Sequence, residues 1–343
     1  MVDPSKVPPP DLLTIQTMYL CGVAYMANPA DMPGMIEKTQ VPPSSKGAWR
    51  CLWGPAQDSD ESNLAFVAGY HPDPGLGPQT ICVTIRGTDV DVDDIGGILE
   101  QIWEDIDGAY QTQLPFAPEG VLVAQGTLEG LTVIESQLLW KGQTLGDYLG
   151  QFYQHPANQS VLAIVTGHSL GGCLATVVAA SMRALLPAQI PIQPVTFAAP
   201  TAGNSKFATW YSSKFPTARR FQNTLDIIPM ALQNLGGIED IYDDYSLYTP
   251  WFIDGCIDVM LDAMSWTGAS YVQPAQGTQL LPGAFLTNDN DDWYAQALHQ
   301  HHLLTYLSIM TGQPLDVSKL PQSAAPRTRN RKLPRPVASR PAV

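Results

Sequence analysis

The chain has 343 residues, 45% of them hydrophobic and 15% charged. That is apolar material enough for one large α/β domain or two small ones, and it excludes a wholly disordered chain or a disulfide-stapled miniprotein. Eighteen Lys and Arg stand against 32 Asp and Glu, for a net charge of −14. Six of the bases (Arg327, Arg329, Arg331, Lys332, Arg335 and Arg340) fall in residues 321–343, so the preceding 320 residues hold 12 bases against 32 acids. Such an acidic body is a poor partner for nucleic acid or an anionic membrane surface.

The first ten residues carry four prolines and predict a flexible N-terminal segment. They lack the basic and apolar regions of a signal peptide, which leaves the compartment open. Residues 12–26 are moderately apolar but include Thr14, Gln16 and Thr17. They predict a buried helix, because no run reaches the roughly 18 apolar residues of a membrane span. The five cysteines (Cys21, Cys51, Cys82, Cys173, Cys256) form no C-x-x-C pair, which argues against a zinc or redox motif.

Residues 80–85, 161–166 and 194–198 are short apolar runs stopped by glycine or proline, the pattern of parallel strands buried on both faces. Helices are predicted over 147–154 and 173–186, and a later strand over 219–223. Strands separated by helices predict a mostly parallel central sheet covered on both faces. The expected organisation is one domain over residues 11–320, an irregular insertion or lid-like region over 236–290, and a disordered basic, proline-rich tail over 321–343.

The most informative stretch is Gly167-His168-Ser169-Leu170-Gly171, a G-x-S-x-G between a predicted strand and a predicted helix. A strand-to-helix turn this sharp holds its serine in a strained conformation and needs glycine two residues to either side. Gly172, Ala175 and Ala179 then let the helix cross the sheet closely. The plainer alternative is a glycine-rich turn with an idle serine. If Ser169 is a nucleophile, the N–H of Leu170 is the first oxyanion donor. A second donor belongs in the loop after an earlier strand, where Thr88 offers an N–H and a hydroxyl.

Six histidines are present. In this class of fold the order along the chain is serine, acid, histidine, which leaves His299, His301 and His302. His299 and His302 have a metal-compatible i, i+3 spacing, but no H-E-x-x-H or cysteine set accompanies them, so no metal is expected. Among the intervening acids, Asp226 is best placed. It follows the 219–223 strand and precedes Ile227-Ile228-Pro229, at the carboxyl edge of the sheet. The acidic run 288–292 lacks the glycine and distal glutamate of an EF-hand and reads as a solvated loop capping the helix that starts near Trp293.

Together these segments resemble the class 3 (fungal-type) triacylglycerol lipase family of the α/β-hydrolase superfamily. Val83-Thr-Ile-Arg-Gly-Thr88 is similar to its oxyanion-loop strand, and Thr166-Gly-His-Ser-Leu-Gly-Gly172 to its nucleophile elbow. Thr196-Phe-Ala-Ala-Pro-Thr-Ala-Gly-Asn204 resembles its Thr-Phe-Gly-x-Pro-x-x-Gly-Asn segment, with Ala198 in place of the usual glycine. Asn223-Thr-Leu-Asp-Ile-Ile-Pro229 resembles the segment that supplies the family's acid. His301-His-Leu-Leu-Thr-Tyr-Leu307 has the His-x-Leu-x-x-Tyr-Leu spacing of some relatives. The resemblance implies an α/β-hydrolase fold with Ser169, Asp226 and His301 as the catalytic set, His302 as the alternative base, and Thr88 with Leu170 as the oxyanion hole.

The implied activity is hydrolysis of lipid esters such as triacylglycerols, with no metal or organic cofactor. A phospholipase A1, a feruloyl or short-chain esterase, or a non-catalytic lipase-like scaffold are the alternatives. Apolar residues at 95–99, Ile102 and Trp103, and at 251–253 and 259–261, either close a pocket at a lipid interface or complete the core.

Overall fold

The computed structural model describes residues 10–39, 47–59, 61–73, 75–86, 107–287 and 292–313. The residues at 95–103, most of the run 288–292 and the basic tail lie outside these. Eleven strands are present among the described residues: β1 (Ala48–Gln57), β2 (Leu64–His71), β3 (Thr80–Arg86), β4 (Gln111–Gln113), β5 (Leu122–Ala124), β6 (Leu139–Trp140), β7 (Gln143–Thr144), β8 (Leu162–His168), β9 (Ile192–Phe197), β10 (Arg219–Asn223) and β11 (Thr278–Leu281). Seven form the central sheet in the order β1-β2-β3-β8-β9-β10-β11. The first two pairings are antiparallel and the other four are parallel.

Side-chain alternation explains why both faces are covered. Along β3, Ile81, Val83 and Ile85 enter one apolar cluster, while Cys82 enters the other. Along β8, Ala163 and Val165 face the first cluster and Ile164 the second. The first cluster packs against the helices Gln125–Ser136, Leu145–Gln154 and Leu170–Leu185. The second is covered by Leu12–Val23 and Leu303–Thr311, so residues 12–26 do supply a buried helix. Strands this apolar on both faces need a layer on each side. No described helix is long and apolar enough to cross a membrane.

The parallel strands β3, β8, β9 and β10 deliver their carboxyl ends to one edge of the sheet. Ser169 follows β8 directly, and Asp226 comes three residues after β10. The elbow is as tight as its sequence implies. Ser169 has φ 58° and ψ −134°, a sparsely populated region for a residue with a side chain. A Cβ on Gly167 would lie 2.1 Å from the Gly171 carbonyl oxygen, so only glycine fits there. The Ser169 N–H donates to the Phe197 carbonyl at 3.0 Å, which ties the turn to β9. Ala198, where the related motif has glycine, also lies at positive φ (52°). Its small side chain is buried in this left-handed conformation, which is the physical reason a glycine suits the position.

The span 236–290, described as far as residue 287, includes regular elements. It contains the 17-residue helix Trp251–Thr267 and strand β11, which pairs in parallel with β10 and closes the edge of the central sheet.

Candidate active site

Three side chains from separate elements meet at the carboxyl edge of the sheet. Ser169 stands at the elbow, as N-cap of the helix Leu170–Leu185. Asp226 sits in the turn after β10, 2% exposed. His301 is the last residue of the helix Trp293–His301 and is 4% exposed. The His301 Nε2 lies 2.9 Å from Ser169 Oγ. Its Nδ1 lies 3.1 and 3.0 Å from the two Asp226 carboxylate oxygens. With Nδ1–H directed at the carboxylate, Nε2 keeps a lone pair for the serine hydroxyl.

The acid is itself held. The Ile228 N–H donates to Asp226 Oδ1 at 3.0 Å, and the Tyr306 hydroxyl donates to Oδ2 at 2.7 Å. Tyr306 in turn accepts the Asn223 N–H at 2.9 Å. Burial, with the Asp226 carboxylate beside it, pushes the Tyr306 hydroxyl pKa well above the ordinary tyrosine range, so it remains a donor. Asn223 ties the strand to the histidine helix: its Nδ2 donates to the Gln300 carbonyl and side-chain oxygens, each at 2.8 Å.

His302 follows a different course. It lies between two helices with ψ 136°, and its Nδ1 accepts the Leu304 N–H at 3.1 Å as an N-cap. The structure therefore brings His301, not His302, to Ser169. Leu170 begins the elbow helix, where first-turn N–H groups lack intrahelical acceptors. Thr88 lies outside the described residues.

Residues 82–235 match the lipase (class 3) family. Over that stretch, a little under half of the chain, the protein is similar to class 3 lipases. It is a carboxylic-ester hydrolase of the lipase type, acting on lipid esters. Its fold is similar to that of M37 lipase, at 21% identity over 87% of this chain and 95% of that one, with a TM-score of 0.71. Weaker likenesses include a lipase from Rhizopus microsporus var. chinensis (22% identity, 67% and 73% of the two chains, TM-score 0.47). Another is the mono- and diacylglycerol lipase from Aspergillus oryzae (17%, 65% and 75%, TM-score 0.44). No curated protein matches the sequence.

Several residues shape the site through contacts that the motifs themselves do not spell out. Tyr306 and Asn223 belong to recognised segments, but their contacts emerge only in three dimensions. Gln300 is 0% exposed and binds Ala284 O and Gln296 Oε1 as well as Asn223. His168 is buried beneath His301, their ring centroids 4.7 Å apart. Its Nε2 lies 3.0 Å from the His301 carbonyl oxygen, which can only accept, so Nε2 bears the proton.

Burial, and secondarily the neighbouring His301, holds the His168 pKa well below the ordinary histidine value. The folded lipase therefore keeps His168 neutral while the unfolded chain protonates it below about pH 6.5. The unfolded state then binds more protons, so stability falls as the pH drops below about 6.5, by up to about 1.4 kcal/mol per pH unit from this one group. Urea unfolding between pH 7 and 5 should show that slope, and His168→Phe should flatten it. An unchanged slope in the variant would assign the acid sensitivity elsewhere.

Proposed function

We propose that Ser169, His301 and Asp226 act as nucleophile, general base and orienting acid in a lipase that cleaves acylglycerol-type esters through an acyl-enzyme. The observation that carries this reading is the 2.9 Å contact between His301 Nε2 and Ser169 Oγ, with the buried Asp226 carboxylate on the opposite ring nitrogen. Ser169 Oγ attacks the ester carbonyl while its proton passes to His301 Nε2. Asp226 holds the imidazole tautomer and stabilises the imidazolium. The negative charge on the carbonyl oxygen is met by the N–H of Leu170, and Thr88 is the proposed second donor. Each such donor is worth roughly 100- to 1000-fold in turnover. Collapse of the tetrahedral intermediate expels the alcohol, which takes the proton from His301. Water, deprotonated by His301, then releases the fatty acid and restores Ser169.

Contact with a lipid surface is supported by the helix Trp251–Thr267. Ile253, Ile257 and Met264 face the core, whereas Trp251 is 83% exposed and Val259 68%. Phe252 and Leu261 are also exposed, so they do not complete the core. Asp258 and Asp262 are exposed among these apolar and aromatic residues, so the face suits an uncharged rather than an anionic lipid interface.

The test is a substrate panel (emulsified triacylglycerol, phospholipid vesicles, and nitrophenyl esters of graded chain length) run on wild type, His301→Ala and His302→Ala. The wild type should favour emulsified acylglycerol. His301→Ala should lose about 10⁴- to 10⁶-fold in turnover. His302→Ala should stay within about tenfold of wild type, because the His302 ring caps the following helix rather than meeting Ser169. The reverse ranking would move the base to His302, and a preference for soluble short-chain esters would make the protein an esterase.

A further inference from the structure

We propose that His168 is a positioning residue for the reaction: it holds the main chain and ring plane of His301 so that Nε2 stays aimed at Ser169. The inference rests on the catalytic roles proposed above and adds a fourth side chain to them.

His301 stands where its helix ends, and the next residue turns into an extended conformation. The carbonyl of a residue at a helix C-terminus has no intrahelical N–H to bind it. The His301 carbonyl is instead bound from the neighbouring strand. His168, the last residue of β8, donates Nε2–H to that carbonyl at 3.0 Å. The same ring lies under the His301 imidazole at a tilt of 33°. One side chain thus sets both the anchor point of the base and the surface on which its ring rests.

His168 is in turn fixed from two further elements. The Tyr25 hydroxyl donates to the His168 carbonyl at 3.0 Å, and the Tyr25 ring meets the imidazole edge-on at 6.1 Å. Tyr306, which also binds Asp226, packs edge-on against it at 5.8 Å. The residue preceding the elbow serine therefore connects nucleophile and base directly: a shift at His168 moves Ser169 through the chain and His301 through the hydrogen bond. Because His168 is kept neutral, it adds no positive charge beneath an imidazole that must become imidazolium during the reaction.

The experiment compares His168→Phe, which keeps a ring but lacks the donor, with His168→Gln, which restores an N–H near the same place. Misplacing a reacting group by about 1 Å can cost roughly 100-fold. His168→Phe should therefore lower kcat on a soluble nitrophenyl ester by about 10- to 100-fold with KM within about threefold. It should slow phosphonylation of Ser169 by a fluorophosphonate by the same factor. His168→Gln should recover most of the loss. Wild-type kcat in His168→Phe, or loss in both variants tracking only a lowered melting temperature, would overturn the proposal. Failure of the underlying catalytic reading looks different, since Ser169→Ala would then retain turnover. Should neither variant fold, histidine ¹⁵N NMR of the wild-type protein decides: an Nε2–H tautomer for His168 at neutral pH agrees, and an Nδ1–H tautomer contradicts it.

Discussion

Ser169→Ala is expected to lower ester turnover by about 10⁶-fold while the protein stays folded. Removing the nucleophile of a serine hydrolase deletes the covalent route, and removing the base costs a similar factor because the two act as one unit. What survives is the contribution of substrate binding and the oxyanion donors, on the order of 10³- to 10⁴-fold over water. The fold should tolerate the change. The Ser169 N–H bond to Phe197 and the Ser169 carbonyl bond to the Gly172 N–H are made by the main chain, which alanine keeps. The strained backbone of the elbow is likewise retained. Near-wild-type melting with near-zero turnover is the expected pair of results, read by calorimetry beside a nitrophenyl ester assay.

Asp226→Asn is expected to cost about 10⁴-fold in kcat, through the wrong tautomer rather than lost packing. The geometry gives the reason. Both carboxylate oxygens of Asp226 already receive donors: the Ile228 N–H at Oδ1, the Tyr306 hydroxyl at Oδ2, and His301 Nδ1–H across both. An asparagine must place an NH₂ on one side. Its oxygen is claimed by the Ile228 N–H, which cannot rotate away, so the NH₂ takes the Oδ2 side. There it donates to His301 Nδ1 and drives the ring to carry its proton on Nε2. A protonated Nε2 cannot accept from Ser169. Turnover measured across pH should stay depressed at every value. Recovery to within tenfold of wild type would mean that Asp226 does not set the tautomer.

The elbow is legible in sequence because two requirements coincide in a few residues. Glycine must stand where Gly167 closes on the Gly171 carbonyl, and a β-branched strand must precede a helix of small residues. The acid is less legible. Asp226 is one of many aspartates after the elbow, and what singles it out is its anchoring by Ile228 and Tyr306, the second of them 80 residues away in the chain. The choice between His301 and His302 turns on a helix break that no glycine or proline signals. The helix stops after His301 and the next one starts with His302 as its cap.

Two further misses have local causes. β1 and β2 are antiparallel additions to the parallel sheet, and β1 is interrupted by register shifts around Trp53, which blurs its alternation. β11 has only four residues, framed by Gly277 and Pro282. It is a strand because β10 offers it a partner: a Cβ on Gly277 would lie 1.9 Å from the Ala218 carbonyl oxygen, so glycine permits the close approach. Such pairing is a property of the assembled sheet rather than of the segment.

The central claim is that the hydroxyl of Ser169 is made nucleophilic by His301. Incubating the lipase with a fluorophosphonate and mapping the adduct by peptide mass spectrometry tests it directly. A single phosphonyl group on Ser169, formed in step with loss of ester hydrolysis and abolished in Ser169→Ala and His301→Ala, is the predicted result. Complete inhibition with the adduct on another residue, or full hydrolysis after stoichiometric labelling of Ser169, would contradict it.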